Sequence, residues 1–181
     1  MHLIELPKLI FYLCLIAMKI VYKWKTIFVF LLIAGFAKTT SAQQKFEKAE
    51  FYKVMDEGNL TAINSQIEII QSSSSPYKEG YEGALLMRKA DKVAVPGQKL
   101  KFFKAGRIKL ETALLADNDN TEYHFLRLAI EEHAPKIVKY HYDIEKDKAI
   151  VLKNFKSLPE SVQHAIRDYC KKSKVLHAEE F

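Results

Sequence analysis

The sequence predicts an all-α domain of about seven helices behind an amino-terminal export signal. Three observations carry this. From Gln43 onward apolar residues recur at intervals of three and four, the spacing of one helix face. Helix stops and starts punctuate the chain: Gly58-Asn59, Ser75-Pro76, Pro96-Gly97, Asp117 to Asn120, Pro135, and Ser157-Leu158-Pro159-Glu160. The β-branched clusters Ile137-Val138 and Ile150-Val151 are too short to compete as strands.

Residues 1–42 read as a signal segment. Lys19, Lys23 and Lys25 precede a run of twelve uncharged, mostly apolar residues, Thr26 to Ala37, and Thr40-Ser41-Ala42 offers small residues for cleavage before Gln43. That run is short for a bilayer span, which needs about 20 residues. A second uncharged run, Leu9 to Met18, lies upstream, so the expectation is that translation starts at Met18. The alternative is an uncleaved membrane anchor.

The leader also explains the charge. The whole chain carries a formal +6, but residues 1–42 hold five lysines and one acid, leaving 23 basic and 21 acidic residues beyond them. A balance this even excludes the electrostatic footprint of a nucleic-acid binder. Cys14 belongs to the leader, and Cys170, alone in the remainder, cannot form an internal disulfide.

The first helix is expected over Lys45–Glu57, with Phe51, Val54 and Met55 inward and Gly58 as its stop. Asn59 caps the second, whose stripe is Leu60, Ile63, Ile67 and Ile70; Ser72 to Ser75 link onward. Ser75-Pro76 opens the third, with Tyr77, Tyr81, Ala84, Leu85 and Arg88 on one face. Gly80 and Gly83 within it point to close helix packing. The fourth is expected from Gln98 to Ala116, with Phe103, Gly106, Leu110, Ala113 and Leu114 as its stripe. Asp119 and Glu122 have capping-box spacing at the start of the fifth, Thr121 to His133. That helix is apolar on two sides and so the most buried. Lys136 to Lys146 reads as a short turn and loop. The sixth helix runs from Asp147 to Phe155. A Ser157–Glu160 capping box starts the seventh, with Val162, Ala165, Ile166 and Tyr169 inward, and the tail after Lys174 is expected to fray.

Gly106, Leu110 and Ala113, followed by Leu114 to Asn120, resemble the second helix and exit turn of a tetratricopeptide repeat, with Asn118 where the family has proline. Tyr81, Ala84 and Leu85 fall where the first repeat helix places aromatic and small residues. The resemblance covers Tyr77 to His133 and implies antiparallel helix pairs in a TPR-like right-handed array. Phe125 to Leu128 and Lys156 to Glu160 also resemble stretches of small exported helical proteins of Gram-negative bacteria, which implies a periplasmic or secreted domain and no particular activity.

No nucleophile elbow, phosphate cradle or helical zinc motif is present. His133 and His141 lie on either side of the Lys136 turn; Cys170 and His164, six apart, lie on different sides of one helix. The candidate binding residues are therefore arginines and exposed aromatics. Arg88, Arg107 and Arg127 sit mid-helix in three successive helices, and together would line a groove for an acidic peptide tail. Asp91, Glu111 and Glu131, three or four residues later, offer the competing reading of pairing along each helix. Tyr140 and Tyr142 are expected to be exposed and to suit protein contact.

The reading is an exported helical module that meets an unidentified protein or peptide, with no cofactor, no nucleic acid, and membrane contact only through an uncleaved leader. Oligomeric state is left open. Alternatives are a small envelope hydrolase with an unrecognised site, or a structural protein held at the inner membrane by its leader.

Overall fold

The computed structural model describes residues 45–181, and the expected signal segment, with Met18 and Cys14, lies outside them. The described residues form seven α-helices and no strand. They are α1 (Lys48–Glu57), α2 (Leu60–Ser72), α3 (Lys78–Lys92), α4 (Pro96–Ala116), α5 (Thr121–His133), α6 (Ile144–Asn154) and α7 (Glu160–Cys170), with 3-10 turns at Lys136–Val138, Phe155–Ser157 and Ala178–Glu180. Among these helices none is long and apolar enough to cross a membrane.

α3 is the centre of the packing, touching α2, α4 and α5, while α1 meets α7. α3 and α4 run antiparallel: Lys99 reaches the Asp91 carbonyl at one end and Lys109 pairs with Glu79 and Glu82 at the other. Their crossing is built on glycine. A Cβ on Gly83 would sit 2.7 Å from both Gly106 O and Leu110 N, and one on Gly106 would sit 2.5 Å from Gly83 O. The absence of side chains at both positions lets the two backbones touch, as the spacing of Gly83 predicts. Gly58 takes φ +67° and closes α1 in the left-handed conformation.

α5 is the most enclosed helix, with every residue from Thr121 to Leu128 buried. Its Leu126 and Leu128 belong to one core with Phe51, Ile63, Leu85, Leu110, Val151 and Ile166.

Several local expectations are corrected. Pro96 and Gly97 do not break the chain before α4; they are its first residues, because proline's fixed φ and missing N–H suit that position. The cap of α5 is Asn120, whose side chain accepts from Tyr123 N, so the Asp119 capping box does not form. Glu122 is thereby released and accepts from Lys48 Nζ at 2.5 Å and Tyr52 OH at 2.8 Å instead. Ser157 likewise fails to cap α7: its hydroxyl donates to Asn154 O, and Pro159 precedes the helix without a side-chain cap.

The tail after Lys174 does not fray. Leu176 is fully buried, the Phe181 ring lies 4.3 Å from that of Phe155, and Lys148 binds both Val175 O and Glu180. Glu132 on α5 gathers Tyr169 OH, Ser173 Oγ and Lys174 N. Burial alone would raise the Glu132 carboxyl, but these three donors outweigh it and hold it below the usual carboxylate range.

Candidate functional site

The candidate arginines divide into two neighbourhoods. Arg88 Nε and Nη2 donate to the Met55 and Asp56 carbonyls, and Nη1 pairs with Asp91 at 3.0 Å. It satisfies the carbonyls at the C-terminal end of α1, where a helix lacks internal donors. Arg107 and Arg127 meet instead around Tyr140. The Arg107 guanidinium lies 4.7 Å from the Tyr140 ring centre. Glu111 accepts from Tyr140 OH at 2.5 Å and from Arg127 Nη1 at 3.0 Å.

Arg127 is the hub of a buried ionic node joining α4, α5 and α6. Its Nε and Nη2 fork onto Asp147 Oδ2 and Oδ1, both at 2.8 Å. Burial works against the charge on Arg127, and Asp147, Glu111 and Asp143 more than offset this, so it stays cationic. His124 lies 2.6 Å from Asp147 Oδ1 through Nδ1 and 2.8 Å from the Asn118 carbonyl through Nε2. Both ring nitrogens thus face oxygen acceptors. His124 and Asp147 are entirely buried, and Nε2 is engaged by backbone, so the pair holds α5 to α6 and faces no solvent.

The node also fixes residues 134–143. Glu131 Oε2 accepts from Asp143 N, Glu131 O lies 2.7 Å from His141 Nδ1, and Tyr140 is pinned against Phe103 with ring centres 5.8 Å apart. Glu131 Oε1 and His141 Nε2 are buried without a protein partner. Burial raises the Glu131 carboxyl, and the Asp143 N–H opposes the rise only in part. Burial and Glu111 push the Tyr140 hydroxyl far above its ordinary value.

The Tyr140–Tyr142 pair is therefore split, because Tyr140 is held inward by Phe103, Arg107 and Glu111. Tyr140 is buried and Tyr142 is 78 % exposed. His133 and His141 are not brought together by shared partners: His133 Nδ1 faces Ala129 O and Tyr169 OH, while His141 faces Glu131. Among the described residues no three histidine, cysteine or acidic side chains are grouped to hold a metal ion.

Leu100, Ile108 and Leu115 on α4 are 48 %, 66 % and 86 % exposed, and Ile137 in the anchored loop is 89 % exposed. At about 100° per residue the three α4 side chains fall within an arc of about 80°. A concavity of about 370 Å³ elsewhere is lined by Phe46, Lys48, Ser75, Tyr77, Tyr81 and Ser161, among others. Its one ammonium, Lys48, is taken by Glu122.

Sequence reasoning missed His124, Asp147 and Glu111 as a unit. A signal was present: Asp147 lies four residues before Val151 on the inward stripe of α6, and His124 and Arg127 interrupt the apolar middle of α5, residues 123–130, at a spacing of three. Comparison with protein families, curated proteins and solved structures finds no match for this chain.

Proposed function

We propose that this protein is an exported, helical interaction module of the bacterial cell envelope, whose docking face is the outer surface of α4 together with the anchored 134–143 loop. The observation that carries the reading is the exposed apolar row Leu100, Ile108 and Leu115 on α4, with Ile137 and Tyr142 exposed in the loop that Tyr140 ties to that helix. Large apolar side chains grouped on one face of a small domain mark an interaction surface. The buried node supports the reading by giving the loop a fixed shape, which lowers the ordering cost of docking.

A TPR-like stacking of helix pairs is part of the proposal. The α3–α4 hairpin supports it, with small residues at the crossing and an antiparallel course. Export is supported by the leader in residues 1–42.

The test is retention of envelope proteins on the immobilised chain. An Ile108→Glu, Leu115→Glu variant loses the retained partner while its helical circular dichroism is unchanged. Equal retention by both chains refutes the assignment of the face. Recovery of a mature amino terminus other than Gln43 refutes the proposed cleavage.

A further inference from the structure

We infer that the α4 face takes an acidic amphipathic helix of a partner protein. This rests on the docking reading above and adds the chemistry of the occupant.

Most of the charges along α4 are cationic; Glu111 in the arc of the row, and Asp117 and Asp119 beyond its end, are the acids near it. α4 carries Lys99, Lys101, Lys104, Arg107 and Lys109 against one acid, Glu111. Glu111 is engaged by Arg127 and Tyr140, and Lys109 is held by Glu79 and Glu82. Lys101 and Lys104 are exposed, and among the described residues neither has a hydrogen-bond or ion-pair partner. Lys136 and Lys139, in the loop that presents Ile137, are exposed and unpartnered in the same way. The surface is therefore an apolar row bordered by free ammonium groups, and its complement has apolar residues bordered by carboxylates.

The spacing selects a helix. Leu100, Ile108 and Leu115 are eight and seven residues apart, about 12 and 10.5 Å along the axis. Two-turn steps of this kind match the i, i+7 anchors of a helix laid alongside. A bilayer fits less well. Lys104 falls between Leu100 and Ile108 in the same arc, so its ammonium would enter the acyl region where the leucines insert, whereas a facing helix can meet it with a carboxylate. A second copy of this chain fits least, since it would bring lysines against lysines.

The experiment uses the full chain in its own cells, with Leu115→p-benzoylphenylalanine or Ile108→p-benzoylphenylalanine as photocross-linker and the linked residues mapped by mass spectrometry. The expected links fall on segments where glutamate or aspartate borders apolar residues at intervals of three and four. Lys101→Glu with Lys104→Glu lowers the yield about ten-fold, and Lys101→Gln with Lys104→Gln lowers it less, both with unchanged circular dichroism. Links to lipid, to a second copy, or to neutral or basic segments overturn the acidic helix and leave the docking face standing. A yield indifferent to the lysine changes overturns it as well. No link from either position overturns the docking face, and this inference with it.

Discussion

Asp147→Asn is the perturbation that reads the buried node most sharply. Asp147 is entirely buried and engages three groups: His124 Nδ1 at 2.6 Å, and Arg127 Nε and Nη2 at 2.8 Å each. Asparagine keeps the shape but loses the charge, and its amide sets a donor against Arg127 or His124. The guanidinium is left with Glu111 and the longer contact to Asp143 at 3.4 Å. Removing one partner of a buried pair costs about 3–5 kcal/mol, because the other charge stays desolvated. For a domain of this size that lowers the melting temperature by about 10–20 °C. The assay is thermal unfolding followed by circular dichroism at neutral pH, repeated with Arg127→Met and with the Asp147→Asn, Arg127→Met pair. The pair should be less destabilised than the sum of its single changes, since both charges leave together. An Asp147→Asn loss below about 1 kcal/mol, or strict additivity in the cycle, would refute the node as the clamp between α5 and α6.

Three further outcomes follow from the packing. Gly83→Ala, which in an open helix gains about 1 kcal/mol, should instead destabilise by about 1–3 kcal/mol in denaturant titration, because its Cβ meets the α4 backbone at 2.7 Å. Leu176→Ala should cost about 2–4 kcal/mol in the same titration, whereas Leu115→Glu on the exposed row should change stability by less than about 0.5 kcal/mol. Docking of the tail should depend on acid through Glu132, whose folded value lies below its unfolded value. The stabilisation is therefore present above the ordinary glutamate value of about 4.3 and is lost as pH falls through the folded value. Hydrogen exchange at Ser173 to Leu176 should quicken over that descent, and Glu132→Gln should quicken it already at neutral pH.

What was legible in the sequence is what short-range periodicity and chain punctuation encode. The α7 stripe of Val162, Ile166 and Tyr169 and the two-sided α5 follow from helical spacing alone, and both are buried as that spacing requires. Gly58 and Gly83 were readable because only a missing side chain suits a left-handed cap or a backbone contact. Caps were less readable. Asp119 and Asn120 offer equivalent acceptors one residue apart, and the choice of Asn120 leaves Glu122 free for Lys48 and Tyr52, which lie 70 or more positions away in the sequence. The same limit hid the node. Arg127 has an acid four residues away on its own helix, Glu131, yet its partners Asp147 and Glu111 come from α6 and α4. The tail misled because Lys171 to Lys174 look solvated, while Leu176 and Phe181 beyond them supply the apolar anchors.

The central claim is that the face carrying Leu115 is covered when the protein is at work. It is tested most directly by thiol labelling of Leu115→Cys in a Cys14→Ser, Cys170→Ser background, in cells and after purification, with the exposed α2 position Glu68→Cys as reference. The account predicts slow labelling at position 115 in cells, fast labelling once purified, and equal rates at position 68 in both. Equal, fast labelling at position 115 in both conditions would contradict it.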